Sequence, residues 1–147
     1  SWLFSGTIRE NIQMGFTEYE DEHVLHICKV AGVDDFVGSH PQGYDLEIKE
    51  RGVGLSGGQK QAINLARSLL HNPNILLLDE PTSSMDQGTE KKIIGSLGNF
   101  AAEKTMMVVT HRNSLLAMVD RVFVLENGKI ITDQTPEKLG IKKADTK

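Results

Sequence analysis

Several features that would place a chain outside the ordinary globular proteins are missing here. There is one cysteine, Cys28, so no intramolecular disulfide can brace the fold, and a reducing compartment is the simpler expectation. Apolar runs such as 75–78 and 106–109 are four residues long, and the longest, 115–119, is five, far short of the roughly 20 that a membrane-spanning helix needs. No secretory signal is present. Lys and Arg number 16 against 20 Asp and Glu, a net charge of −4, and they form no local cluster. A duplex-binding face wants a basic patch, so nucleic acid is not an expected partner. An initiator methionine is lacking too. The chain opens Ser1-Trp2-Leu3-Phe4, three apolar residues at once, and we read Ser1 as a cut within a larger protein.

What is there suffices for a core. The 147 residues are 39% hydrophobic and 24% charged, a globular balance at the length of one ordinary domain. The first half reads as helical. Thr7 can cap a short helix through Asn11. Over 18–31, Val24, Ile27, Cys28 and Ala31 share one face of a helix, which Gly32 stops. A short helix over 34–39 comes next, then a loop at His40-Pro41-Gln42-Gly43. Ile63, Ala66, Leu69 and Leu70 mark a helix to about residue 71.

The second half changes period. The run 75–78, bounded by Pro73 and Pro81, reads as a strand buried on both faces. An amphipathic helix over 88–102 precedes a second strand at 105–110 and a short helix at 113–118. Segments 122–125 and 129–132 flank Asn127-Gly128, a strong hairpin signal. Strands alternating with helices predict a parallel sheet with right-handed crossovers. The fold class is therefore α/β.

Three places carry candidate chemistry. Leu55-Ser56-Gly57-Gly58-Gln59 stands directly before a helix. Two glycines let backbone N–H groups approach a ligand, the helix N-terminus favours negative charge, and Ser56 adds a hydroxyl; a plain capped turn is the alternative. Asp79 and Glu80 end the first buried strand, where open α/β sheets place ligands. Adjacent side chains on a strand diverge, so one carboxylate can hold Mg²⁺ through its water shell while the other activates a water. The alternative is a polar strand end that begins the turn Pro81-Thr82-Ser83-Ser84. His111 comes after the second strand at a position that matches Asp79, and it serves either the same ligand or a structural role. One expected element is missing. Residues 52–57 fit G-x-x-x-x-G, but Gly58 stands where a P-loop needs Lys and then Ser or Thr.

Taken together, LSGGQ at 55–59, ILLLDEPTSSMD at 75–86 and VTH at 109–111 resemble the nucleotide-binding domain of ABC transporters across nearly the whole chain. The resemblance implies a helical subdomain at 1–71 and the C-terminal part of a P-loop (RecA-like) ATPase core at 72–147, without the P-loop strand. That strand would lie between those at 105–110 and 121–126. By the same resemblance, Ser56, Gly57, Gly58 and Gln59 serve the γ-phosphate of ATP held by a second copy in a head-to-tail dimer. Asp79 serves Mg²⁺, Glu80 is the catalytic base, His111 is the switch histidine, and Asp86 closes the loop that crosses the dimer interface. Glu50-Arg51-Gly52 resembles the segment that senses the transmembrane domains.

The stretch 3–12 resembles the segment that follows the Q-loop glutamine of exporters, and 82–86 and 110–116 resemble ATPases of type I secretion. The latter resemblance implies ATP-driven export of a protein or peptide, toxin-like, at the cytoplasmic face of the plasma membrane. Another ABC exporter (of lipid or drug), a DNA-repair ATPase and a docking module without catalysis are the alternatives. Asp133-Gln134-Thr135-Pro136 departs from the pattern, which commonly has glycine after the Asp. The chain alone is expected to be inactive for want of a P-loop. His23, His26 and Cys28 do not add up to a zinc site, which wants about four ligands; Cys28 reads as a small buried hydrophobe. Trp2, Leu3 and Phe4 read as packing against chain that precedes Ser1.

Overall fold

A computed structural model describes residues 2–141. Strand β1 (Gly6–Thr7) leads into helix α1 (Ile8–Gln13), where Thr7 is the N-cap and Glu10 completes a reciprocal capping box. Helices α2 (Asp21–Val30) and α3 (Asp34–Val37) come next. A short strand, β2 (Glu47–Ile48), returns antiparallel to β1. Helix α4 (Gly57–Leu70) packs on α1 and α2, and its apolar stripe, Ala62, Ile63, Ala66, Leu69 and Leu70, is buried.

The N-terminal segment is fastened to α4 by Arg67, whose guanidinium donates to the Trp2 carbonyl at 2.5 Å, the Asn11 amide oxygen at 2.8 Å and the Asn11 carbonyl. Leu3 is buried within this chain itself rather than left for chain that precedes Ser1, whereas Trp2 is 70% exposed, with the Arg51 guanidinium 5.2 Å above its ring. Cys28 is buried, and burial pushes its thiol up to about 11. A ring nitrogen of His23 lies 2.8 Å from the Leu70 carbonyl.

The α/β half consists of β3 (Ile75–Asp79), α5 (Gln87–Ala101), β4 (Thr105–Val109), α6 (Asn113–Leu116), β5 (Val122–Glu126) and β6 (Lys129–Gln134). Strands β3 and β4 pair in parallel, with Asp79 opposite Val109. The core is continuous: Leu76 and Leu78 of β3 and Ile93 and Leu97 of α5 join the stripe of α4.

Two expectations need correction. First, β3 is buried on one face only. Leu76 and Leu78 point to the core, whereas Ile75 and Leu77 are 64% and 69% exposed, and so are Met107 (59%) and Val109 (58%) beside them. Period-two alternation exposes one face of a strand whenever one side of its sheet is uncovered. Second, no three-stranded parallel sheet forms among the described residues. Strand β5 pairs only with β6, antiparallel, around Asn127 (φ 49°) and Gly128 (φ 75°), with a bulge between Val124 and Leu125. Nothing among the described residues bridges β4 and β5. The fold is α/β, with small sheets in place of the continuous parallel sheet that the alternation predicted. The break between β4 and β5 falls where the resemblance puts the missing P-loop strand. The last six residues of the 72–147 unit lie outside the described residues. No helix of the described residues is long and apolar enough to cross a membrane.

Candidate functional site

The first part of the site is the N-terminus of α4. Ser56 is its N-cap, in extended conformation at φ −66° and ψ 162°. The Ser56 hydroxyl accepts from the Gln59 N–H at 3.2 Å, and the Gln59 side-chain oxygen accepts from the Ser56 N–H at 2.8 Å. This capping box satisfies two donors and leaves the N–H groups of Gly57 and Gly58 at the positive end of the helix dipole. The glycines have a second reason that the sequence did not disclose. A Cβ on Gly57 would meet the Ser84 side chain at 3.2 Å, and one on Gly58 would meet the Ser84 carbonyl at 3.1 Å. Their smallness lets the helix end approach the turn 82–86 closely, and a cleft of about 310 Å³ lies there, lined by Ser56, Gly58, Gln59, Ser84, Met85 and Asp86.

The second part is the end of β3. The strand stops at Asp79, which is exposed. Glu80 turns out of it at φ 44°, a left-handed conformation that costs a non-glycine residue about 1–3 kcal/mol and concentrates at functional sites. Strand alternation therefore does not govern the Asp79–Glu80 pair. The turn is held from both sides: the Glu80 N–H donates to the Val109 carbonyl at 2.8 Å, and the Gln61 amide donates to the Glu80 carbonyl at 2.7 Å. His111 meets Glu80 rather than Asp79, its Nδ1 lying 2.7 Å from Glu80 Oε1. The register shows why the positions of His111 and Asp79 do not match. Asp79 faces Val109, so His111, two residues on, lies past the strand end beside the Glu80 turn. The Thr110 hydroxyl lies 3.5 Å from Glu80 Oε2.

The turn 82–86 links the two parts. Gln61 accepts from the Ser84 N–H at 2.9 Å and donates to the Ser83 hydroxyl at 3.1 Å. Asp86 caps α5, accepting from the N–H groups of Gly88 at 2.9 Å and Thr89 at 3.0 Å and from the Thr89 hydroxyl at 2.7 Å. The hydroxyl and N–H of Thr89 and the N–H of Gly88 hold its carboxyl below the usual carboxylate range against a smaller desolvation effect. Behind the turn, Glu90 is nearly buried and accepts from the hydroxyls of Thr82 at 2.8 Å and Ser114 at 3.0 Å. Arg112 pairs with Glu90 at 2.9 Å and donates to the Ser83 carbonyl at 2.9 Å. Burial raises the Glu90 carboxyl, but hydrogen bonds from Thr82, Arg112 and Ser114 and the Arg112 charge together bring it below its ordinary value.

Of the residues singled out from sequence, Glu80 and His111 touch, and Ser56, Gly58, Gln59 and Asp86 line one cleft. Gln61, Glu90 and Arg112 were not singled out, although each grips the turn. Gln61 lies two residues beyond a noted glutamine, and Arg112 comes directly after the noted histidine.

A family model described as ABC transporter matches residues 2–83. A protein of Staphylococcus aureus (strain bovine RF122 / ET3-1), whose name describes a multidrug export ATP-binding/permease protein, is 45% identical over 137 residues, 93% of this chain and 24% of its own. A like-named protein of Staphylococcus aureus (strain NCTC 8325 / PS 47) is 44% identical over the same shares. Among solved structures, a bacterial Atm1-family ABC exporter with ATP bound superposes with a TM-score of 0.86 at 39% identity, over 95% of this chain and 24% of that one. The chain thus spans about a quarter of the length of these relatives.

Proposed function

The chain belongs to the ABC transporter family, as part of its ATP-binding domain, and from that premise we propose that it supplies the hydrolytic carboxylate of an ATPase that drives export. Residues 1–71 act as the helical subdomain and 72–147 as the C-terminal part of the ATPase core. The observation that carries the reading is the Glu80–His111 contact of 2.7 Å at a strained turn ending a parallel strand. Glu80 accepts a proton from the water that attacks the γ-phosphorus, the bond to the β-phosphate oxygen breaks, and ADP leaves. His111 holds the Glu80 carboxylate and faces the same phosphate. Ser56, Gly57, Gly58 and Gln59 present N–H and hydroxyl groups to the ATP of a second, head-to-tail copy.

Asp79 and Glu80 are hard oxygen donors and fit Mg²⁺, which keeps several waters and shares substrate phosphates. No group of three or more His, Cys, Asp or Glu among the described residues makes a metal cage, and Mg²⁺ needs none of that kind. When bound, the ion offsets phosphate charge. Asp79 would hold it through water.

The other partners are the transporter's transmembrane domains, with the ATPase at the cytoplasmic face of the membrane. The names of the Staphylococcus aureus relatives, which speak of multidrug export, support export of drug-like small molecules over the protein or toxin export that 82–86 and 110–116 suggested.

The test is Glu80→Gln in the full-length transporter. Glutamine keeps the shape and can still accept from His111 but cannot take a proton. Phosphate release should fall about 10²–10⁴-fold while ATP binding persists. Turnover at the wild-type rate would remove Glu80 from the mechanism.

A further inference from the structure

We propose that Glu90 is a positioning residue for ATP hydrolysis, setting His111 against Glu80 through Arg112 and Ser114. The inference rests on the proposed roles of Glu80 and His111 in hydrolysis. The His111 side chain is 78% exposed, so packing does not fix its imidazole. An exposed ring is placed by the backbone that carries it. On the N-terminal side that backbone is held by the β3–β4 pairing, which ends at Val109. Residues 110–114 then leave the sheet, and Glu90 gathers the C-terminal side of that segment. Arg112 Nη1 pairs with Glu90 Oε2 at 2.9 Å, and the Ser114 hydroxyl donates to Oε1 at 3.0 Å. Both ends of the Arg112–Ser114 stretch are therefore held by one carboxylate.

The same carboxylate reaches toward Glu80. Thr82, fully buried, donates to Glu90 Oε1 at 2.8 Å, two residues beyond Glu80. Arg112 closes the ring by donating to the Ser83 carbonyl at 2.9 Å. Glu90 thus ties the segment after Glu80 to the segment after His111. It is itself only 6% exposed and sits in the first turn of α5, where the helix dipole favours a negative charge. Without that charge, Arg112 loses its ion pair and the loop carrying His111 loses its anchor. Misplacement of about 1 Å at a reacting pair can cost about 10²-fold in rate.

The experiment uses the full-length transporter, with Glu90→Gln as the main variant. Glutamine keeps the volume and an oxygen for Thr82 and Ser114 but turns an N–H₂ group toward Arg112. We expect kcat to fall by about 10²-fold with KM for ATP little changed. The decisive comparison repeats the substitution in a His111→Ala background under single-turnover conditions. If Glu90 acts through His111, it adds no further loss there. A general loss of folded protein would multiply the His111→Ala loss by the same factor as in the wild type, and that result overturns the proposal. Wild-type kcat in Glu90→Gln overturns it too. Arg112→Ala, which removes the same link from the other end, should reproduce the kcat loss and decides the matter if Glu90→Gln fails to fold. Wild-type rates in both Glu80→Gln and His111→Ala would instead refute the ATPase reading itself.

Discussion

The uncovered face of the β3–β4 sheet should make the 147-residue chain, produced alone, associate with itself. Ile75, Leu77, Met107 and Val109 are 64%, 69%, 59% and 58% exposed, side by side on paired strands. Among the described residues the sheet has two strands, and an unpaired edge beside an apolar face is a template for further pairing. Complete burial of such a side chain stabilises by about 1.5–3 kcal/mol, so with roughly two thirds still to bury each contributes about 1–2 kcal/mol. The informative perturbation is Leu77→Lys with Val109→Lys, both on the open face and neither in the core. In a symmetric dimer each change counts twice, a loss of about 4–8 kcal/mol, or roughly 10³- to 10⁶-fold in Kd. Sedimentation velocity over a range of concentrations reads the outcome, with circular dichroism to confirm an unchanged fold. Two results refute the reasoning: a wild-type chain that stays monomeric throughout, or a double-lysine variant that associates as strongly as the wild type.

Gly58→Ala places a methyl 3.1 Å from the Ser84 carbonyl oxygen and 3.6 Å from Met85 Cγ; overpacking outweighs the helix-propensity gain by about 1–2 kcal/mol, and the midpoint of thermal unfolding should fall by about 3–8 °C. A midpoint at or above wild type would show that the turn yields freely. Because the folded Glu90 carboxyl is held below its ordinary value of 4.5, its contribution is complete above that value and is lost as pH falls through the depressed one. Denaturant stability should thus decline less between about pH 6 and pH 3 in Glu90→Gln than in wild type; equal slopes would refute the linkage. The chain alone should bind Mg²⁺–ATP more weakly than about 1 mM, under roughly 4 kcal/mol, since the amides and lysine that cradle the β- and γ-phosphates belong to a P-loop it does not contain. Micromolar affinity by calorimetry, or phosphate release that disappears in Glu80→Gln, would reveal a nucleotide site of another kind.

How much of this could be read from the residues depended on the range over which each one acts. Thr7 and Ser56 announce helix starts because a cap and its partner lie three residues apart, and Asn127-Gly128 announces its hairpin because both residues need positive φ. Such signals are local and survived intact. The run 75–78 misled because its composition suits burial on both faces, whereas burial depends on what covers the sheet. Matching the position of His111 to that of Asp79 failed for a related reason. It assumed that β3 continues through Glu80, but Glu80 leaves the strand at φ 44°, and nothing in Leu78-Asp79-Glu80-Pro81 marks that turn as left-handed. The two-residue pairing of β1 with β2 is too short to show any period.

Glu90, Gln61 and Arg112 were passed over for a subtler reason. An acid in the first turn of a helix already suits the dipole, a glutamine inside α4 already suits helix propensity, and an arginine beside a histidine reads as a solvated end. Each has a sufficient local reason, which hides a second one spanning eight to 29 residues of sequence. Sequence reasoning finds residues that are odd where they stand. The residues that hold Glu80 and His111 together are ordinary where they stand, and only the distances between them give their work away.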